Sequence, residues 1–173
     1  MSSVILYIAC TLDGYIAGKD GDISWLHPFE HTGEDYGYAA FLSHVGAIIM
    51  GGKTYRQALG FGPWPYSGIP CHVVTTQALT NPPDASISAF CGDVSELVAQ
   101  IRQETGKDIW LVGGSRLITQ FANARLIEEY IISIVPLLLG DGIPLFQGLS
   151  SKQNLTLTGS TSYASGIVQL HYV

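Results

Sequence analysis

Short apolar runs alternate with segments of helical periodicity over most of the chain. Continuous apolar runs, which are typical of buried strands, predict strands at 4–10, 47–50, 71–75, 86–90, 109–112 and 127–135. Apolar positions three or four residues apart predict helices over 34–44 and 53–59, from Asp93 to near Gly106, and from Ser115 onwards. Strands that alternate with helices in this way predict an α/β fold.

The end of the chain follows a different pattern, in which polar and apolar residues alternate. Leu155 and Leu157 alternate with threonines, and in the segment 167–173 the residues Gln169 and His171 share one parity. Alternation of this kind predicts two antiparallel strands with one wetter face. The predicted fold is therefore α/β with a mixed, mostly parallel sheet and an antiparallel pair of strands at the C-terminus.

Two of the predicted strands end in a pair of glycines that a helix follows. Gly51–Gly52 ends the strand at 47–50, and Gly113–Gly114 ends the strand at 109–112, where Ser115 is placed to cap the next helix. Each pair is either a tight turn or a phosphate site at a helix N-terminus. Two such pairs in one chain favour a single extended ligand, such as a dinucleotide, that bridges both strand ends.

Two better-known nucleotide motifs are excluded by their spacing. The segment Gly52-Lys53-Thr54 resembles part of a phosphate loop, but that loop requires a glycine where this chain has Ala47. The three spaced glycines of a Rossmann fingerprint do not follow the first strand. Phosphate contacts by two short turns therefore remain the better interpretation.

Composition limits the class of protein. The 173 residues are 47% hydrophobic and 13% charged, which predicts one globular domain over residues 1–173. A net charge of -6 argues against nucleic acid as a partner. Three widely spaced cysteines predict reduced thiols in a cytoplasmic protein, and the apolar run at 4–10 is too short to span a membrane. The histidines show no metal-ligand spacing, so no metal site is expected.

Six segments in the same order resemble dihydrofolate reductases, and resemble even more the reductase domain of bifunctional riboflavin-biosynthesis proteins and its stand-alone bacterial relatives. They extend over nearly the whole chain and comprise Ala9 with 13–17, Trp25, 49–55, 73–76, 111–115 and 140–146. The segments 11–17 and 140–146 favour the riboflavin branch. The resemblance implies the dihydrofolate reductase-like fold, with helices on both faces of the sheet, and a homodimer, for which the segment 131–139 is a candidate interface at a sheet edge.

The resemblance also implies that NADPH is the cofactor. Its nicotinamide would lie beside Ala9 and Ile16, and its adenosine beside Thr75 and Thr76. Its pyrophosphate and the adjoining adenosine side would be held by Gly51, Gly52, Lys53, Thr54, Gly113, Gly114, Ser115 and Leu117. In folate reductases an arginine that contacts the 2′-phosphate occupies the position of Gly52, so Lys53 or Arg56 would have to replace it.

A carboxylate in an apolar pocket would assist hydride transfer to a C=N bond, because protonation or hydrogen bonding at the nitrogen activates the carbon. By resemblance this catalytic acid is Asp35, with Glu34 beside it and Asp13 as a second candidate on the substrate side. The alternative for Asp35 is a solvated acid at a helix start. Trp25 would form a wall of the substrate pocket, or else pack in the core.

These observations predict an NADPH-dependent reductase that acts on a C=N bond of a small heterocycle. The chain has only eight basic residues, and none can be placed as a phosphate-binding pair beside Asp35. That leaves the phosphorylated substrate of the riboflavin enzyme in question. The alternatives are a true dihydrofolate reductase and a non-catalytic module that binds NADPH or a flavin.

Overall fold

The computed structural model describes residues 2–173 and contains ten strands and five α-helices within that range. The strands are β1 Val4–Thr11, β2 Tyr15–Ala17, β3 Val45–Gly51, β4 Cys71–Val74, β5 Ile87–Phe90, β6 Asp108–Gly113, β7 Glu129–Val135, β8 Ile143–Pro144, β9 Leu157–Ser162 and β10 Val168–Tyr172. The helices are α1 His27–Glu30, α2 Tyr38–His44, α3 Gly52–Leu59, α4 Val94–Glu104 and α5 Ser115–Asn123, and a 3-10 turn covers Ser24–Leu26.

Eight of the strands form one sheet in the order β5-β4-β3-β6-β1-β7-β10-β9. The six strands from β5 to β7 are parallel, whereas β10 and β9 run antiparallel to their neighbours. The remaining strands, β2 and β8, pair with each other in a separate small sheet. The predicted α/β fold, with a mostly parallel sheet and an antiparallel C-terminal pair, is confirmed.

Helices cover both faces of the sheet, because alternate residues of each buried strand point to opposite sides. On one face, Leu6 and Ile49 pack with Phe121 of α5 and with the apolar stripe of α4. On the other face, Ile48 and Trp110 belong to a second core with α2 and α3. The adjacent residues Ile48 and Ile49 thus serve different cores, which explains why the strand predicted at 47–50 is apolar without alternation.

The N-terminus of α2 differs from the prediction. The helix begins at Tyr38 rather than at residue 34, because Tyr36 and Gly37 have φ angles of 55° and 77° and interrupt the helical backbone. Asp35 therefore lies in the turn before the helix. Its carboxylate accepts hydrogen bonds from the amides of Gly37 and Ala39, at 3.0 and 3.3 Å.

The segment 131–139 was expected at a sheet edge, and this expectation is wrong. Its strand, β7, lies inside the sheet between β1 and β10, and the two edges are β5 and β9. Two short strands, β2 and β8, lie in segments where no apolar run predicted a strand. None of the helices formed by residues 2–173 has the length and apolar character needed to cross a membrane.

Candidate functional site

The two glycine pairs lie side by side at the carboxyl edge of the sheet. Strands β3 and β6 are parallel neighbours, and Met50 is paired with Gly113. A Cβ atom on Gly51 would be 3.7 Å from the carbonyl oxygen of Gly113 and 3.8 Å from the amide nitrogen of Gly114. The sequence-based prediction that both strand ends meet is therefore confirmed in the structure.

A helix begins at the second glycine of the first pair and directly after the second pair, and the two helix N-termini face the same edge. Helix α3 starts at Gly52 and helix α5 at Ser115. The first-turn amides of an α-helix have no partner within the helix, and the helix dipole makes that end favourable for anions. The edge therefore offers two sets of backbone donors to one ligand.

The crowding around these turns accounts for their glycines. A Cβ on Gly52 would be 2.9 Å from Thr75 Oγ1, and a Cβ on Gly114 would be 3.2 Å from Thr54 Oγ1. Gly113 has a φ of 126°, a region that favours glycine, and its peptide bond to Gly114 is cis. The hydroxyls of Thr54 and Thr75 thus border the backbone turns.

Ser115 was expected to cap helix α5, and this expectation is wrong. The cap position belongs to Gly114, and Ser115 is the first helical residue. The buried Ser115 hydroxyl donates to the carbonyl oxygen of Pro144 in β8 and accepts from Gln147 Nε2 at 3.0 Å. Leu117 is also buried in the core. Both residues therefore present only their backbone amides to a ligand.

The basic residues near the first glycine pair differ in their placement. Arg56 Nη1 would be 3.3 Å from a Cβ on Gly52, and it donates a hydrogen bond to Gln77 Oε1 at 3.1 Å. Thr75 Oγ1 accepts from the amide of Gln77 at 3.1 Å, which connects the same loop to the site. Arg56, Lys53 and Thr76 are all exposed, and neither Lys53 nor Thr76 has a side-chain hydrogen bond within residues 2–173. Arg56 is thus the cation that the structure holds beside Gly52.

The expected nicotinamide residues lie on adjacent elements. Ala9 is on β1, where it is paired with Ser133 of β7. Ile16 is the central residue of β2 and packs against the core cluster that contains Cys10 and Leu145. Trp25 lies in the 3-10 turn, half-buried, and its indole Nε1 is buried without a hydrogen-bond partner among residues 2–173.

Asp13 joins two loops. Its carboxylate accepts hydrogen bonds from Thr11 Oγ1 at 2.6 Å and from the amides of Leu139 and Gly140 at 3.1 and 2.7 Å. The Thr11 hydrogen bond, together with those backbone amides, lowers the pKa of Asp13 to about 2. This geometry gives Asp13 a role in holding the loops together, and its oxygens are already engaged by protein donors.

A polar cluster that no sequence pattern predicted lies on the sheet face. Gln169 was expected on a wetter face, but it is only 3% exposed. Its Nε2 donates to the carbonyl oxygen of Tyr36 and to Ser133 Oγ, both at 3.0 Å. The Tyr7 hydroxyl donates to the same Tyr36 oxygen at 2.9 Å.

This cluster lies beside Ala9 on the same face of the sheet, because Ala9 is paired with Ser133 on β7 and Ser133 is paired with Gln169 on β10. Burial raises the pKa of Tyr7 to about 12, against the opposing effect of its hydrogen bond with Gln169, so the phenol stays protonated and neutral. The position of Tyr7, two residues before Ala9 on the same face of β1, was the available sequence signal.

No group of three or more histidine, cysteine, aspartate or glutamate side chains within residues 2–173 is arranged to hold a metal ion. Cys10 and Cys71 are buried and Cys91 is exposed, and all three are free thiols.

Comparison with known proteins places the chain in a family. The model of the RibD C-terminal domain matches residues 2–169. The uncharacterized protein YwjB of Bacillus subtilis (strain 168) is 38% identical, over 98% of this chain and 96% of its own length.

Two crystal structures share the fold. A Shewanella sp. PV-4 protein provisionally assigned to riboflavin biosynthesis has a TM-score of 0.88 and 30% identity, covering 98% of this chain and 97% of its own. The diaminohydroxyphosphoribosylaminopyrimidine deaminase/5-amino-6-(5-phosphoribosylamino)uracil reductase of Thermotoga maritima has a TM-score of 0.70 and 16% identity. That match covers 99% of this chain and 56% of the Thermotoga chain. The match of the family model over nearly the whole chain shows that this protein belongs to the RibD C-terminal domain family.

Proposed function

We propose that this protein is an NADPH-dependent reductase that transfers a hydride to the carbon of a C=N bond in a small heterocycle. One observation carries the proposal: at the N-termini of α3 and α5, a Cβ on Gly51 would lie 3.7 Å from the Gly113 carbonyl oxygen and 3.8 Å from the Gly114 amide nitrogen. Two helix N-termini that face one edge suit a diphosphate, which has two anionic groups to be held. Membership of the RibD C-terminal domain family supports a reductase.

The residues at this edge fit the cofactor. The amides that follow Gly51 and Gly114 would hold the pyrophosphate, and Thr54 Oγ1, 3.2 Å from the Cβ position of Gly114, would add a hydroxyl donor. The adenosine would lie towards Thr75 and Thr76. When bound, the reduced nicotinamide supplies the hydride, and the protein contributes binding, orientation and the exclusion of water.

Selectivity for NADPH is proposed to depend on Arg56. Its guanidinium lies beside Gly52, the position at which folate reductases have an arginine, and Gln77 holds it there. A guanidinium can form paired hydrogen bonds with a phosphate, whereas a lysine ammonium contacts a phosphate as a flexible point charge. Arg56 would therefore contact the 2′-phosphate, and Lys53 would contribute little.

On the substrate side, Ala9 and Ile16 would define the position of the nicotinamide, and Trp25 would limit access of water. The hydride adds to the carbon of the C=N bond and a proton must reach the nitrogen. Asp35 is the proposed source of the hydrogen bond or proton at that nitrogen. The neutral Tyr7 and the Gln169 amide would orient polar groups of the substrate.

The proposal is tested by titrating the pure protein with NADPH, NADH and FMN while following tryptophan fluorescence. NADPH consumption is then followed with 5-amino-6-ribosylaminouracil, with its 5′-phosphate and with dihydrofolate. We expect quenching by NADPH at sub-millimolar concentration and consumption with a uracil substrate. No quenching by either nicotinamide cofactor would overturn the proposal, and turnover of dihydrofolate alone would identify a dihydrofolate reductase instead.

A second candidate is a non-catalytic module that binds NADPH or a flavin. The placement of Asp35 favours it, because the carboxylate already accepts two backbone amides in the turn before α2. Cofactor binding without reduction of any C=N substrate would support this candidate.

We also propose that the protein forms a homodimer, but not through 131–139. Leu149 and Leu155 line one hollow, and Leu157 begins the edge strand β9. These three leucines are 45%, 43% and 54% exposed. An apolar surface beside an unpaired strand edge suits a second copy of the chain.

A further inference from the structure

A groove of about 300 Å³ opens on the sheet face beside the Gln169 cluster. It lies between α2 and the strands β1, β7 and β10, with Tyr7 and Gln169 in its lining. Asp108 and Glu129, the first residues of β6 and β7, also line it. The groove therefore extends from the polar cluster towards the amino ends of the parallel strands.

The groove and the proposed hydride position lie along the same strand, β1. Ile5, Tyr7 and Ala9 point to the same face of the sheet, because side chains alternate along a strand. At roughly 3.3 Å per residue, Tyr7 is about 7 Å and Ile5 about 13 Å from Ala9 along the strand. A substrate whose ring lies at Ala9 would thus extend its tail into the groove.

The charged side chains of the groove are acidic. Among the residues that the structure describes, its lining includes Asp108, Glu129, His44 and His171, but no lysine or arginine. His171 Nε2 lies 3.1 Å from Gln169 Oε1.

The two carboxylates differ in how far they are already engaged. Asp108 Oδ1 accepts from the amide of Ser3 at 3.0 Å, and the neighbouring Lys107 donates to the carbonyl oxygen of Ser43 at 3.3 Å. Glu129 is half-buried and has no side-chain hydrogen bond or ion pair within residues 2–173. Its charge is therefore the one available to a ligand.

A phosphate is a poor match for this groove. Proteins hold phosphates with arginine, lysine or grouped backbone amides, and like charges brought together repel. The apolar walls, which include Ile5, Phe41 and Ile131, suit methylene groups or an aromatic ring. The free carboxylate of Glu129 suits a cation at the end of such a group.

We propose that the groove receives the tail of the substrate, and that this tail carries a protonated amine rather than a phosphate. The inference rests on the proposed function for the position of the ring at Ala9. The preference for a cation over an anion depends only on the groove, so this preference can be tested by binding alone, without turnover.

The test compares tyramine with 3-(4-hydroxyphenyl)propanoate, which share a phenol ring and an ethylene linker but have opposite charges. Both are titrated into protein labelled at isoleucine methyl groups, and the shifts of Ile5 and Ile131 report the groove. We expect tyramine to bind about tenfold more tightly, because one attractive and one repulsive contact of up to about 1 kcal/mol each act together. Equal affinities, or tighter binding of the propanoate, would overturn the proposal.

Matched variants identify the carboxylate. Glu129→Gln removes the charge with little change of volume and should reduce the preference several-fold. Glu104→Gln alters a carboxylate on α4, on the opposite face of the sheet, and should leave the preference unchanged. A folded Glu129→Gln protein that keeps the full preference would contradict the assignment.

NADPH binding is measured on the same samples to separate the two proposals. Preference for tyramine without NADPH binding would support the groove and overturn the proposed reductase. The opposite result is that NADPH binds and a 5′-phosphorylated ribosylaminouracil is reduced faster than the unphosphorylated compound. That result would support the reductase and overturn the proposal of a cationic tail.

Discussion

The Arg56 guanidinium lies beside Gly52, with Nη1 3.3 Å from the position that a Cβ on this glycine would occupy. The missing side chain at residue 52 thus leaves room for an arginine from one turn further along α3. We expect Arg56→Gln to weaken NADPH binding by about tenfold or more, since a hydrogen bond to a charged group contributes roughly 1.5–3 kcal/mol. NADH binding should not change. Fluorescence titrations with both cofactors provide the measurement.

Lys53→Gln is the control for this prediction, because Lys53 is a second exposed cation in the same helix and has no side-chain hydrogen bond within residues 2–173. It should leave the ratio of NADPH to NADH affinity nearly unchanged. If Lys53→Gln loses the preference for NADPH over NADH and Arg56→Gln keeps it, Lys53 rather than Arg56 contacts the 2′-phosphate.

Gly52→Ala should weaken cofactor binding and lower the melting temperature. The added Cβ would be 2.9 Å from Thr75 Oγ1, so either the threonine or the helix start has to move. Gly106→Ala is a matched control, because a Cβ there meets no heavy atom within 4 Å. Thermal melts with and without NADPH check the prediction, and equal behaviour of the two variants would contradict it.

Asp13→Asn should destabilise the protein at neutral pH. The folded-state pKa of Asp13, about 2, lies below the roughly 3.9 of an unfolded aspartate. Its stabilising contribution is therefore complete above pH 4 and is lost as the pH falls towards 2. Melting temperatures of the wild type and the variant should converge over that range. Glu30→Gln, at an exposed carboxylate, should show no such convergence.

Gln169→Leu should lower the free energy of unfolding by about 2 kcal/mol, as expected when buried polar partners lose their hydrogen bonds. The variant leaves Ser133 Oγ without the amide that now donates to it and removes one of the two donors to the Tyr36 carbonyl oxygen. Urea denaturation provides the measurement. Gln103→Leu, at an exposed position of α4, should change stability by less than about 0.5 kcal/mol.

Asp35→Asn distinguishes the two candidate functions. Asparagine keeps one oxygen, which can still accept the amide of Gly37, the shorter of the two hydrogen bonds, so the turn before α2 should persist. A reductase should lose about a hundredfold or more in kcat, the lower end of the range for general acid–base assistance, with NADPH affinity unchanged. An unchanged kcat would remove Asp35 from the mechanism.

The proposed homodimer is tested by light scattering of wild type and Leu157→Lys. A charge on the edge strand should shift the mass from dimer to monomer, because lysine on an edge opposes strand pairing. Thr76→Lys, at another exposed position, should not. If light scattering gives the wild-type protein the mass of a single chain, the homodimer proposal is wrong.

The sequence was most informative where one physical effect dominates. Apolar runs and glycine pairs predicted the central strands and the meeting of Gly51 with Gly113, because burial on both faces and close backbone approach leave few alternatives. The start of α2 was misplaced because the left-handed backbone at Tyr36, unusual for a tyrosine, gives no pattern in apolar spacing.

Contacts between residues far apart in the chain were the second feature that the sequence could not predict. The alternation of the C-terminal strand could not show that Gln169 is buried, because its partners Tyr36 and Ser133 are 133 and 36 residues away. Ser115 carried a good capping signal, yet its hydroxyl is engaged by β8, a strand that no apolar run predicted. Similarly, the edge of a sheet depends on strand order, which local patterns do not encode.

The Ser115 hydroxyl connects the helix proposed to hold the pyrophosphate with β8, and β8 pairs with the strand that carries Ile16. The two ends of a bound dinucleotide would therefore rest on one connected unit rather than on separately moving parts. Such a unit has less conformational freedom to lose when the ligand binds, so more of the contact energy is retained as affinity.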